Sequence, residues 1–125
     1  MDELREDYID KVIDFAKHSP AKFRHAAICL DKKGQIVSWA TNSRKTHPMQ
    51  AEYAKRTGKI EKVSLHAEIA ALIRARDDIE TVVVCRINKK GDLRNSQPCP
   101  ICRLALEEAN VKEIWFSTDK GFEKL

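Results

Sequence analysis

Apolar side chains recur along residues 3 to 17 at Leu4, Tyr8, Ile9, Val12, Ile13 and Ala16. Steps of three and four place them on one stripe of a helix, which Ser19-Pro20 ends. The period then changes. "F-R-H-A-A-I-C-L" and "Q-I-V-S-W-A-T" flank "D-K-K-G", which predicts a β-hairpin. From Asn42 to Val63 the chain is polar and interrupted by Pro48 and Gly58, predicting a long loop with no more than a turn of helix. Loops of that length within a compact domain usually carry function.

Helical spacing returns from about Leu65 to Ala75, with Ser64 as the expected N-cap. "T-V-V-V-C-R-I" has the continuous hydrophobicity of a central strand. "N-K-K-G-D" turns the chain and "L-R-N-S-Q" leads into Pro98. A further helix runs from Cys99 to about Asn110 through Ile101, Leu104, Ala105, Leu106 and Ala109, and "V-K-E-I-W-F-S-T" is the last clear strand. The order helix, hairpin, helix, strand, helix, strand implies a sheet with helices on both faces. Cys29, Cys85 and Trp39 are expected in the core. The direction of the last strand, and any pairing of "K-G-F-E-K-L", are not legible from the pattern.

There is no internal repeat or linker, so residues 1–125 predict a single domain large enough to bury a core without covalent staples. Hydrophobic residues make up 42% and charged residues 34%, an ordinary globular balance. No apolar run approaches the ~20 residues that span a bilayer. The acidic start, "M-D-E-L-R-E-D", is unlike a secretory leader, so the expectation is a cytoplasmic protein with no membrane partner.

Two of four cysteines break the bland picture. "Q-P-C-P-I-C-R" places Cys99 and Cys102 three apart, with Pro100 suited to the first helical position and Cys99 to the N-cap. Thiols there sit near unpaired N–H groups and the positive end of the helix dipole, which favours thiolate. The same spacing also suits a dithiol redox motif. "S-L-H-A-E-I-A-A-L" weighs toward metal, because His66 and Glu68 lie two apart at a helix start, where they cannot pair side by side. His18, His25 and His47 are less suitably placed. Two thiolates and His66 make a tetrahedral zinc site with one corner open, the mark of catalytic rather than structural zinc. There His66 would hold the metal and Glu68 would move protons at a bound water. A closed zinc site in a non-catalytic binding module remains the other reading of these ligands.

With His66-Ala67-Glu68 followed by Pro98-Cys99-Pro100-Ile101-Cys102, the chain resembles the cytidine/deoxycytidylate deaminase superfamily from about residue 22 to 119. The resemblance implies a three-layer α/β/α sandwich with a mixed central sheet of four or five strands. It implies Zn2+ as cofactor and conversion of cytosine to uracil. Glu68 would protonate the ring nitrogen and then the departing amine, and the Ala67 N–H would hold the base carbonyl. Asn42 matches an asparagine that contacts sugar or base, and Arg103 matches an arginine often found after the second cysteine. Self-association is also implied.

The expected substrate is a free nucleoside or nucleotide. Nucleoside-type relatives usually carry a glutamate two residues after the asparagine, whereas here Arg44 stands there and would suit a phosphate. The segment 43–62 holds Arg44, Lys45, Lys55, Arg56, Lys59 and Lys62 against Glu52 and Glu61, so much of the net +4 is local. Arg44 and His47 are therefore candidate substrate contacts, or else parts of a solvated loop. Arg94, Asn95 and Ser96 are further candidates in the long approach to Pro98. A single-stranded DNA or RNA substrate stays open, with Tyr53 the one loop ring able to stack a base, although aromatic residues make up only 6%.

Overall fold

The computed structural model describes residues 3–43, 45–58, 65–75 and 78–125. Its centre is the strand β3 (Thr81–Ile87), whose Val82, Val83, Val84 and Cys85 are wholly buried. It follows α1 (Glu6–Ala16), the hairpin β1 (Arg24–Leu30) and β2 (Ile36–Thr41), α2 (Pro48–Arg56) and α3 (Ala67–Arg74). After it come β4 (Leu93–Arg94), α4 (Pro100–Glu108), β5 (Glu113–Thr118) and β6 (Gly121–Lys124).

The strands form one mixed sheet in the order β2-β1-β3-β5-β6, with the two-residue β4 pairing the end of β3. β1 runs antiparallel to both β2 and β3, β5 runs parallel to β3, and β6 returns antiparallel to β5. The final strand's direction is thus set by the α4 crossover, and "K-G-F-E-K-L" does supply a strand. The short β4 was not visible in the hydrophobic pattern.

Side chains alternate cleanly across the sheet. Ala26, Ile28, Leu30, Val83, Cys85 and Ile87 face α1, packing on Tyr8, Val12 and Ala16. Ala27, Cys29, Val82 and Val84 face the other way, against Ala67, Ala70 and Ala71 of α3 and Leu106 of α4. α2 lies outside these, sharing a cluster of Tyr53 and Ala54 with Ile69, Ile101, Cys102 and Ala105. This is the expected three-layer α/β/α arrangement. Among the described residues, no helix is long and apolar enough to cross a membrane.

Two expectations are corrected. The polar stretch after Asn42 contains a true helix, α2, rather than a loop with a turn. Pro48 starts it, His47 Nδ1 caps it by accepting from the Met49 N–H at 3.0 Å, and Gln50, Tyr53 and Ala54 make its buried stripe. Three buried positions in nine residues, one of them a glutamine, are too few and too polar to read as periodicity. Trp39 is not core: it is 36% exposed on the edge strand β2 and stacks face to face on Phe15 at 4.0 Å. Its partner in register, Ile28, faces α1, but α1 lies mainly over β1 and β3 and meets Trp39 at the edge with Phe15. Cys29 and Cys85 are buried as expected.

The β1–β2 turn is tied to α1 by one hydroxyl. Gly34 has φ +79, its carbonyl accepts from the Tyr8 hydroxyl at 2.6 Å, and a Cβ there would lie 2.7 Å from that oxygen. Gly34→Ala is expected to destabilise by about 1–2 kcal/mol from the left-handed backbone alone, with more from displacing Tyr8. Chemical denaturation should show a lowered midpoint with an unchanged slope.

Candidate active site

Two helix starts meet on the side of the sheet away from α1. The N-cap of α3 is His66 and that of α4 is Cys99, both in extended backbone (φ −81, ψ 154 and φ −70, ψ 168). Neither side chain turns back to cap its own helix, so both reach past the helix end. The cap at α3 is thus His66 rather than Ser64, which lies outside the described residues. At α4 the expected cap and Pro100 are as read from sequence. Cys102, third in α4, looks over the same end.

These three donors converge. His66 Nδ1 lies 3.3 Å from Cys102 Sγ and 3.6 Å from Cys99 Sγ, and all three ligand atoms fall within 4.8 Å of one another. With zinc bonds of ~2.3 Å to sulfur and ~2.0 Å to nitrogen, a tetrahedron has an N···S edge of roughly 3.6 Å. The spacing therefore fits zinc, with Nδ1 as the histidine donor. Among the described residues the group numbers three, which leaves one tetrahedral corner to solvent or substrate. Cys29 and Cys85, the other thiols, are sealed in the sheet.

Protons are distributed unevenly here. Cys99 is held down to about 3, first by the hydrogen bond from the Cys102 thiol and then, against burial, by His66. Cys102 is pushed up by that same bond to Cys99 and by its own burial. Glu68, second in α3, is 5% exposed, and burial raises its carboxyl above the usual range against the pull of its own N–H and of His66. A carboxyl so placed takes up and returns a proton more readily than a solvated one.

The neighbourhood is held by backbone pairings that bring the segment before α3 into place. Ser43 N–H donates to the Leu65 carbonyl and Leu65 N–H to the Lys45 carbonyl, each at 2.9 Å. From α2, fully buried Gln50 accepts the His66 N–H through Oε1 at 3.1 Å. Its Nε2 has no hydrogen-bond partner among the described residues. Gln50 was not legible as a site residue, because nothing local marks a helix glutamine as reaching another helix's cap.

A cavity of about 220 Å³ opens onto His66, Ala67, Glu68 and Cys99. Of the predicted substrate contacts, Asn42 and Ser96 also line it. Asn42 is heavily engaged: Oδ1 accepts from Ser19 Oγ at 2.6 Å and the His25 N–H at 3.1 Å, and Nδ2 donates to the Phe23 carbonyl at 2.6 Å. One amide N–H is left over. Ser96 Oγ donates to the Val84 carbonyl at 3.0 Å and accepts the Ser117 N–H at 2.7 Å, clasping the ends of β3 and β5. Asn95 is exposed, caps the Gln97 N–H at 2.8 Å and stays outside the cavity. His47 caps α2 and lines a neighbouring cavity of about 440 Å³ that shares Asn42, Ser43 and Leu65. Arg44, Lys59 and Lys62 lie outside the described residues.

Two further expectations shift. Tyr53 is buried and cannot offer a stacking face to solvent. Arg56, rather than facing a substrate, forms ion pairs with Glu52 and with Glu108 of α4. The cavity instead takes in Phe23, His25 and Gln97. His25 Nδ1 lies 3.3 Å from the Phe23 carbonyl, and burial, with a smaller contribution from Arg86, holds its imidazole below the ordinary range. Strand alternation was the available signal: His25 shares the face of Ala27 and Cys29, on which α3 sits.

Comparison with known proteins agrees with this geometry. Residues 2–118 match the model of the family described as "Cytidine and deoxycytidylate deaminase zinc-binding region". No curated protein sequence matches the chain. Among solved structures, a cytidine deaminase from Mycobacterium leprae has the same fold at a TM-score of 0.59 and 18% identity, over 98% of this chain and 94% of that one. A dCMP deaminase from the cyanophage S-TIM5, in apo form, has a TM-score of 0.57 and 18% identity, over 90% of this chain and 84% of that one.

The thiol environments make a direct prediction. After metal is stripped with a chelator, iodoacetamide should alkylate Cys99 at a rate nearly flat from weakly acidic to neutral pH, since its thiol is already ionised there. Cys29 and Cys85, pushed by burial to about 11 and about 12, should not react in the folded protein. Adding zinc should protect Cys99; peptide mapping by mass spectrometry reads all three outcomes.

Proposed function

The chain belongs to the cytidine and deoxycytidylate deaminase zinc-binding family, and on that premise we propose that it hydrolyses the exocyclic amine of cytosine in a free nucleoside or nucleotide, giving uracil and ammonia. The observation that carries this reading is the meeting of His66 Nδ1 with two sulfurs at an open corner beside the buried Glu68.

His66, Cys99 and Cys102 would hold zinc, which would supply a Lewis acid able to bring the pKa of water toward ~7. Glu68 carries two protons in turn, both from the attacking water: the first to the ring nitrogen, the second to the amine as it leaves. The raised affinity of its carboxyl for a proton suits both transfers. Ala67, first in α3, has a backbone N–H with no partner inside its helix, aimed at the cavity's end of the helix. That N–H holds the base carbonyl. Asn42 retains one amide N–H for the sugar or base, its other polar atoms being fixed as described. The water's oxygen becomes the new carbonyl, so atoms and charge balance with ammonia as the only other product. In keeping with the family, the enzyme is proposed to self-associate.

A polynucleotide substrate has less support, since the loop tyrosine meant to stack a base is buried. A zinc-stabilised binding module without turnover does not account for a carboxylate buried at its own cost beside the open corner.

Glu68→Gln is expected to keep zinc and fold while losing at least about 10²–10⁴-fold in kcat. The assay is ammonia release from cytidine, deoxycytidine, dCMP and single-stranded DNA at two salt concentrations. Full activity in the variant, or no ammonia from any cytosine compound with zinc bound, would overturn the reading.

A further inference from the structure

The register of the sheet sets three basic side chains in a row beside the catalytic cavity. His25 is opposite Arg86 across β1 and β3, and Arg86 is opposite Arg94 across β3 and β4. Residues directly opposite in a ladder share a face. Ala27 on β1 and Val84 on β3 pack against α3, so His25 and Arg86, each two residues away, occupy that same face. It is the face of the active site. His25 lines the cavity, and so does Phe23, over whose ring the Arg86 guanidinium lies at 4.8 Å.

Among the described residues no carboxylate answers the two guanidinium charges. Like charges directly opposite weaken a ladder, yet among the described residues Arg86 and Arg94 form no ion pair. Arg24, Arg74 and Arg103 likewise form none, but unlike Arg86 and Arg94 they do not stand directly opposite another arginine in a ladder. Lys22 adds a further positive charge, 5.7 Å over the other reach of Phe23. Arg94 donates through Nη1 to the Leu93 carbonyl at 2.9 Å, and among the described residues its remaining guanidinium N–H groups have no acceptor. A repulsive pair retained at the edge of a catalytic cavity points to an anion that arrives from outside.

We propose that Arg86 and Arg94 bind the phosphate of the substrate, making the enzyme selective for a cytosine nucleoside monophosphate over the free nucleoside. The proposal rests on the deaminase reading above and narrows it. Two guanidinium forks match the oxygens of a phosphate, and its negative charge removes their mutual repulsion. The row leads from the cavity across two strand spacings, about 10 Å, a gap that a sugar joining base to phosphate can bridge. Phe23, 53% exposed, offers that sugar an apolar surface. One exposed ring beside one arginine pair suits a single phosphate better than a strand, which needs successive stacking platforms.

The test compares the zinc-loaded parent with Arg86→Gln/Arg94→Gln and with Lys11→Gln/Lys33→Gln, which removes two exposed charges on α1 and on the β1–β2 turn, at the opposite end of the sheet from the row. The parent should show a higher kcat/KM on dCMP than on deoxycytidine. The arginine variant should lose about tenfold or more of that ratio, chiefly through KM on dCMP, while the lysine control keeps it. The arginine variant should melt no lower than the parent, because it relieves repulsion; a merely structural role would lower the melting temperature. Equal use of both substrates by the parent, or an unmoved ratio in the variant, overturns the proposal.

A second readout does not depend on turnover. Titrating 2′-deoxyribose 5-phosphate should shift the Arg86 and Arg94 Nε–H signals in NMR spectra. If those shifts occur while no cytosine compound is deaminated, the phosphate site stands and the deaminase reading falls. If deamination proceeds and the signals stay still, the phosphate site falls alone. If an oligo-dC strand moves them with steep salt dependence and the sugar phosphate does not, the charges serve a polymer and the free-nucleotide assignment is overturned.

Discussion

The active site depends on one geometric constraint: two helix N-termini must end within a few ångströms of each other on one face of a sheet. Each helix start carries unpaired N–H groups and a positive field, so bringing two together is unfavourable unless anionic groups gather there. The thiolate of Cys99 and the carboxyl of Glu68 are such groups, and a zinc ion then organises the sulfurs. The parallel pairing of β3 with β5 enforces the approach, because α4 must cross back over the face that α3 already covers.

The surrounding parts serve that meeting point. Small residues on α3, Ala67, Ala70 and Ala71, let the helix lie close to β1 and β3. α2 braces α3 and α4 from outside through Tyr53, Ala54 and the Arg56–Glu108 ion pair, and it lends Gln50 to the His66 cap. The serines at positions 96 and 117 clasp the strand ends where the segment carrying Cys99 leaves the sheet. Burying Glu68 is unfavourable in isolation, and in the proposed reaction this is where fold stability is given up to chemistry. The unmatched arginines beside the cavity are a second place of the same kind.

Much of this was legible in one dimension. Period-two and period-3.6 patterns located α1, the hairpin, β3, α4 and β5, because those elements bury a face against a large partner. α2 escaped because it buries few residues, and β4 because two residues make no period. Trp39 was misplaced because composition says nothing about which strand lies at an edge. At the site, His66, Glu68, Cys99 and Cys102 stood out by residue type and spacing together with the family resemblance, since the four lie at fixed offsets from two helix starts. Gln50, Phe23 and His25 did not, being brought in from elements distant along the chain.

The sequence by itself determined the ligand chemistry, the helix-capping position of Cys99 and the layered class of fold, because each depends on residues within one turn or one strand of each other; that His66 rather than Ser64 caps α3 came from the tertiary structure. Tertiary structure alone decided that Nδ1 faces the sulfurs, that the third donor closes a tetrahedron with a corner left open, and that His25, Arg86 and Arg94 fall in line. Those are consequences of strand register and helix crossing, where a displacement of one residue turns a side chain to the opposite face. Local patterns limit such displacements but do not select among them; the packing of the whole sheet does.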